Sequence, residues 1–196
     1  MFKRVVKQQY EHYIDVKSGD LDVSNQLMFT ADIADTVTES NPIVRGRVIT
    51  LNSEGKFVLG GTEVSGNCMP MPMFAKKNSF DPDVATGAVG AKTGEILATS
   101  IVGGKMTAYV ATGGFELESS EFNPDPPKPY TPNTALVADE DGIIRPAETD
   151  TSDASKSILG IVSVPPFRSK ASFNVYGKGN NRICFWTVFI PNRGNC

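Results

Sequence analysis

Ile183-Cys184-Phe185-Trp186-Thr187-Val188-Phe189-Ile190 is the stretch that decides the fold class. All eight residues are β-branched, aromatic or cysteine, a composition that suits a pleated strand far better than a helix. In a strand, Ile183, Phe185 and Phe189 point one way, and Cys184, Trp186, Val188 and Ile190 the other. A strand that is apolar on both faces reads as buried on both, either in the centre of a sandwich or partly in a subunit interface. The expectation is the core, with Trp186, the chain's single tryptophan, buried in it.

Upstream, the apolar runs are short and are broken by Gly, Pro, Asn or Asp. Segments rich in Val, Ile, Phe, Tyr and Thr predict strands at 44–51, 57–59, 95–102, 106–112, 134–138, 143–145, 157–163, 172–176 and 183–190. Beyond position 45 no window of about eleven residues carries a 3.6-residue apolar stripe. Residues 150–156, opening with Asp, Thr and Ser, invite at most a short helical turn. The predicted fold class is all-β: a sandwich- or barrel-like body of short antiparallel strands with an extended N-terminal arm. The expected division is an arm at 1–43, a body at 44–191 and a tail at 192–196.

The arm is assigned from composition. It has few glycines and two polar, acidic blocks, KSGDLDVSNQ from Lys17 and ADIADTVTESNP from Ala31. Fully extended, it would reach roughly 140 Å, enough to cross a neighbouring subunit. Alternatively, residues 2–16 form an edge strand or short helix on the same domain. The blocks are too polar for an independent core, so the segment before Pro42 is expected to draw part of its order from assembly. The proline-rich run FNPDPPKPYTPN from Phe122 must be extended and poor in ladder donors, and it is the best internal boundary.

A weak repeat flanks that run. RVITLNSEGKFVLG from Arg47 aligns with TALVADEDGIIRPA from Thr134, placing Gly55 on Gly142, and at the same offset MPMFA from Met71 falls on ILGIV from Ile158. Each hairpin puts a glycine, free to take positive φ, after polar residues that bond their own backbone. The segments are either two copies of one unit, divided near 122–133, or unrelated hairpins that converged on the same turn chemistry.

The 196 residues carry 19 Lys and Arg against 22 Asp and Glu, a net charge of −3, with a pI near 5.2. This balance argues against a nucleic-acid partner. No apolar run approaches the roughly 18–20 residues of a membrane span, so no membrane partner is expected. MFKRVVKQQYEHYIDV lacks the apolar core of a signal peptide, so synthesis in a cytoplasm is expected. Lys3, Arg4 and Lys7 read as a solvated terminus, since three charges contribute little in salt.

Chemistry-bearing patterns are sparse. His12 is the single histidine, beside Tyr10 and Tyr13, and any Ser-His-Asp or Cys-His relay would have to use it. Cys68, Cys184 and Cys196 form no C-x-x-C pair, so a zinc knuckle has no support; Cys68 and Cys184 read as small buried hydrophobes. GAVGAKTG from Gly87 fails the phosphate-loop pattern, because Ala91 precedes Lys92 and Thr86 stands where the first glycine should be. Asp139-Glu140-Asp141-Gly142 lacks the alternating acids of a calcium loop and reads as an acidic hairpin turn. GKGNN from Gly177 reads as a long turn between strands. No catalytic, cofactor-binding or metal-ligating residue is assigned, no cofactor is expected, and the chain reads as non-enzymatic.

GNCMPMPMFAKKNSFDPDV, GGKMTAYVATGGFELESSEF and YTPNTALVADEDG, with ILGIVS and a closing FWTVFIP, together resemble virion structural proteins of tailed bacteriophages, most closely head decoration, or cement, proteins. The resemblance covers roughly residues 47–191. It implies a β-domain on the outside of an icosahedral head, contacting the major capsid protein and locking capsomers together, with no catalytic residues. It implies a virion location, and self-association as a homotrimer first and a dimer second. It also fits a minor capsid, spike or tail protein. A ligand- or carbohydrate-binding β-module, with Trp186 or exposed tyrosines as the sugar platform, is the alternative from a different class.

Overall fold

Short β-rich segments cannot each bury an apolar face alone, so they assemble into sheets and stack. The computed structural model describes residues 14–19, 28–38, 42–60, 71–76, 105–110, 114–148, 153, 156–168 and 181–190. Its strands are β1 (Ile14–Gly19), β2 (Met28–Asp32), β3 (Val48–Leu51), β4 (Phe57–Leu59), β5 (Met73–Ala75), β6 (Lys105–Val110), β7 (Phe115–Ser119), β8 (Ala135–Ala138), β9 (Ile144–Pro146), β10 (Ile158–Arg168) and β11 (Asn181–Ile190). There is no helix among the described residues. A six-stranded sheet has the order β1-β7-β11-β10-β8-β9, and a five-stranded sheet the order β2-β6-β5-β3-β4. Every strand pairing is antiparallel. Neither sheet closes on itself, so the body is sandwich-like rather than a barrel.

Several expected strands have shifted ends. The strand expected from position 44 begins at Val48, because a turn precedes it: Arg47 N–H donates to Val44 O at 3.2 Å, and Gly46 takes φ 91°. The expected strands at 95–102 and 172–176 lie outside the described residues, as do residues 1–13 and 192–196. Strands β1, β2, β5 and β7 were not among those expected. Two of them fall within the segment read as an arm: β1 is an edge strand on β7, and β2 is an edge strand on β6. Ile14 and Ile33 are buried, and the Arg45 guanidinium donates to Ile14 O at 2.8 Å. The body therefore reaches back at least to Ile14; of the segment 2–16 weighed as an edge strand or short helix, only residues 14–16 are described.

The two sheets share one wiring. Strands β2 to β6 form one and β7 to β11 the other, and each is built in the same neighbour order; β1 is the addition. The registers agree as well. Ile49 pairs with Leu59 and Met73 as Leu136 pairs with Pro146 and Gly160, all 87 residues on. Tyr109 faces Met28 and Phe74 on β6, as Trp186 faces Glu116 and Ile161 on β11. The turns share their closing bonds. Gly55 N–H donates to Asn52 O, and Lys56 N–H to Asn52 Oδ1; Gly142 N–H donates to Asp139 O, and Ile143 N–H to Asp139 Oδ1. Gly55 and Gly142 both take φ 74°. Even the left-handed residue before each first hairpin strand recurs, as Gly46 and Asn133. The proline-rich run at 122–133 is therefore not the divider: it lies inside the second unit, after β7, and the units meet between Val110 and Phe115.

Two cores result. The first lies between the sheets, where Val48, Phe74 and Tyr109 of the first unit meet Leu117, Leu136, Ile183 and Phe185 of the second. The Phe74 and Phe185 ring centroids are 5.5 Å apart. The second core lies on the far side of the five-stranded sheet, where Ile33, Val37 and Ile43 cover Ile49, Phe57, Met73 and Met106. The second unit has a matching cover in Phe122 and Tyr130, whose rings meet edge to face at 5.6 Å. Ile33 bridges Phe57 in parallel, just as Phe122 bridges Ile144.

Candidate interaction surface

The outer face of the six-stranded sheet concentrates the unusual side chains. Strand β11 alternates as the sequence predicts, with Ile183 and Phe185 in the inter-sheet core. The opposite face corrects the expectation of a buried tryptophan: Trp186 is 45% exposed. The physical reason is that no layer covers this part of the sheet among the described residues. Alternation assigns a side chain to a face, but it does not say whether that face acquires a second layer.

Trp186 lies between Glu116 on β7 and Ile161 on β10, its direct cross-strand partners. Ser163 Oγ donates to the Glu116 carboxylate. One step along β11, Cys184 lies between Glu118 and Val164. Val164 is itself exposed. Glu118 is buried between two cations: Lys17 Nζ lies 2.8 Å from one carboxylate oxygen and Arg182 Nε 3.6 Å from the other. The arrangement is an exposed aromatic ring on a sheet face with charged and polar neighbours, the general anatomy of a recognition patch.

The far end of the same face is closed by a different device. Arg145 on β9 holds Asp153 with two bonds of 2.8 and 2.5 Å, and Glu148 N–H donates to the same carboxylate at 2.8 Å. Burial would raise the Asp153 carboxyl, but the Arg145 and Glu148 bonds and the Lys156 charge outweigh it and hold it below the usual range. This clamp pins Asp153 over β9 and leaves the Trp186 end open.

The chemically suggestive residues of the sequence do not converge here. Cys184 is free and buried, and its thiol is pushed up to about 11 by burial and by Glu118 and Glu116. That is the opposite of an activated nucleophile. The Asp139–Gly142 run is a hairpin turn whose first carboxylate is engaged by Ile143 N–H at 2.8 Å. Among the described residues, no three His, Cys, Asp or Glu side chains gather as a metal site. His12, Cys68, Cys196 and residues 87–94 and 177–180 lie outside the described residues. A shallow cleft of about 580 Å³ is walled by Pro124, Pro126, Pro127, Tyr130, Pro165 and Pro166. Pro165 and Pro166 occupy a bulge in the β10–β11 register, a place where residues without N–H donors are tolerated.

Sequence reasoning passed over Glu116, Glu118 and Phe29. The first two were legible in Phe115-Glu116-Leu117-Glu118, a strict apolar–acidic alternation that signals a half-covered strand. Phe29, 41% exposed on β2, had no local signal, because its strand is set by pairing with β6. A scan against protein-family models, a search of curated proteins and a search of solved structures each returned no match.

Proposed function

We propose that this chain is a non-enzymatic structural protein of a tailed-phage virion, a decoration or cement protein that binds the outside of the head and stabilises the major capsid protein lattice. The supporting observation is the exposed Trp186 face with its polar neighbours, set on a body of two stacked sheets. Large apolar side chains left in water at the centre of a rigid sheet favour docking against another protein surface. The sequence resemblance supplies the identity of that surface.

The mechanism is linkage. A protein that binds the assembled shell and not its free subunits stabilises the shell by mass action. Self-association, as a homotrimer first and a dimer second, would multiply weak contacts into avidity without new chemistry. Nucleic acid, membrane and cofactors have no part in this reading.

Trp186 beside the Glu116 carboxylate also favours a second reading, a carbohydrate-binding module with the indole as platform. Co-sedimentation separates the two. The virion reading predicts that the protein pellets with purified heads at saturable stoichiometry and ignores glycan-coated beads. It also predicts that Trp186→Ala weakens head binding at least tenfold, about 1.4 kcal/mol. Retention on glycan beads without head binding would reverse the assignment.

A further inference from the structure

Although the two units share one wiring, opposite faces of them meet. The first unit offers Val48, Phe74 and Tyr109, and the second receives them on Leu117, Leu136, Ile183 and Phe185. Because the registers match, every residue of this contact has a counterpart in the other unit. In the second unit the positions of Val48, Phe74 and Tyr109 are held by Ala135, Ile161 and Trp186. In the first unit the position of Leu117 is held by Phe29: Leu117 pairs with Phe185 as Phe29 pairs with Ala108.

The exposures divide along this line. Tyr109 is 8% exposed and its counterpart Trp186 45%; Leu117 is 0% exposed and its counterpart Phe29 41%. Two of the exposed large hydrophobics thus occupy positions that the internal contact buries in the other unit. Each chain thus has an open docking face at Trp186, and a receiving face that is open at Phe29, while Ile49, Met106 and Ala108, the counterparts of Leu136, Ile183 and Phe185, lie buried under the cover of Ile33, Val37 and Ile43.

We infer that the Trp186 face of one copy docks on the Phe29 face of a second copy, repeating between chains the contact that the two units make within a chain. Part of the cover over the first unit's receiving face recurs in the second unit, with Val37 as an addition that the docked copy has to accommodate. Ile33 and Ile43 match Phe122 and Tyr130, and those covering residues coexist with the docked first unit in the internal contact. The rim of Glu116 and Ser163 supplies the polar border that such contacts carry. The contact is heterologous, so it closes into a ring or extends as a stack, according to the rotation between copies. It deepens the self-association of the proposed function and does not depend on a capsid.

The test uses the full chain with Phe29→Asp and Trp186→Asp, analysed by sedimentation equilibrium at about 100 µM, where a micromolar contact is filled. Wild type should exceed monomer mass and dissociate on dilution. Each variant alone should be monomeric. An equimolar mixture should form a heterodimer and nothing larger, because each variant keeps the face that the other has lost. Retained assembly by Phe29→Asp alone, a monomeric mixture, or a monomeric wild type would each overturn the inference. Circular dichroism checks folding; if an aspartate unfolds the chain, Phe29→Thr and Trp186→Thr give the same readings. A chain that assembles this way but ignores heads loses only the virion reading, and one that coats heads as a monomer loses only this inference.

Discussion

Gly142→Ala is expected to destabilise the chain by about 4 kcal/mol or more, while the same change at Gly55 costs about 1 kcal/mol. The two glycines are counterparts, with the same φ of 74° and the same turn bonds. Both substitutions carry the strain of a left-handed residue. Only one of them meets an obstacle. A Cβ on Gly55 has nothing within 4 Å, whereas a Cβ on Gly142 would lie 2.2 Å from Val48 O and 3.1 Å from Val48 N. Both are backbone atoms of the other unit's first hairpin strand and cannot swing aside. Gly142 O also accepts from Val48 N–H at 2.8 Å, so relief of the clash would break an inter-unit bond. Urea midpoints of the two variants measure the difference directly. Equal costs would mean that the second hairpin turn does not insert against β3.

The second large effect separates two neighbours in one strand. Phe185→Ala should cost about 3–5 kcal/mol, because it empties a fully buried site against Phe74. Trp186→Ala should cost about 1 kcal/mol or less in the dilute chain, because much of its ring already faces water. For a chain of this length the first change lowers the melting temperature by roughly 10 °C or more and the second by a few degrees at most. A Trp186 variant as unstable as the Phe185 variant would contradict the one-sided burial of β11.

The particular elements show what the sequence could carry. The β11 strand and its alternation were legible, because eight β-favouring residues in a row leave few alternatives. The two hairpins were legible through Asn52 with Gly55 and Asp139 with Gly142, since turn chemistry is local. Strands β1 and β2 were not: Ile14-Asp15-Val16-Lys17-Ser18-Gly19 has weak β propensity, and its pairing with β7 lies about a hundred residues away. The mistake at Trp186 has the same origin. Whether a strand face is covered depends on the stacking of distant elements, and here the first unit spends its docking face on the second while the second keeps its own. The proline run misled because Pro124, Pro126 and Pro127 look like a linker, whereas Tyr130 fastens that run to the core. Its hydroxyl lies 2.9 Å from Asn123 O and 3.1 Å from Ile144 O.

The claim on which the account rests is that Trp186 marks an open face that assembly covers. Iodide quenching of tryptophan fluorescence reads it without ambiguity, since Trp186 is the single tryptophan of the chain. Strong quenching is predicted in the dilute monomer, and marked protection once the protein is assembled or bound to heads. Weak quenching in the dilute monomer, or strong quenching that neither assembly nor heads reduce, would contradict it.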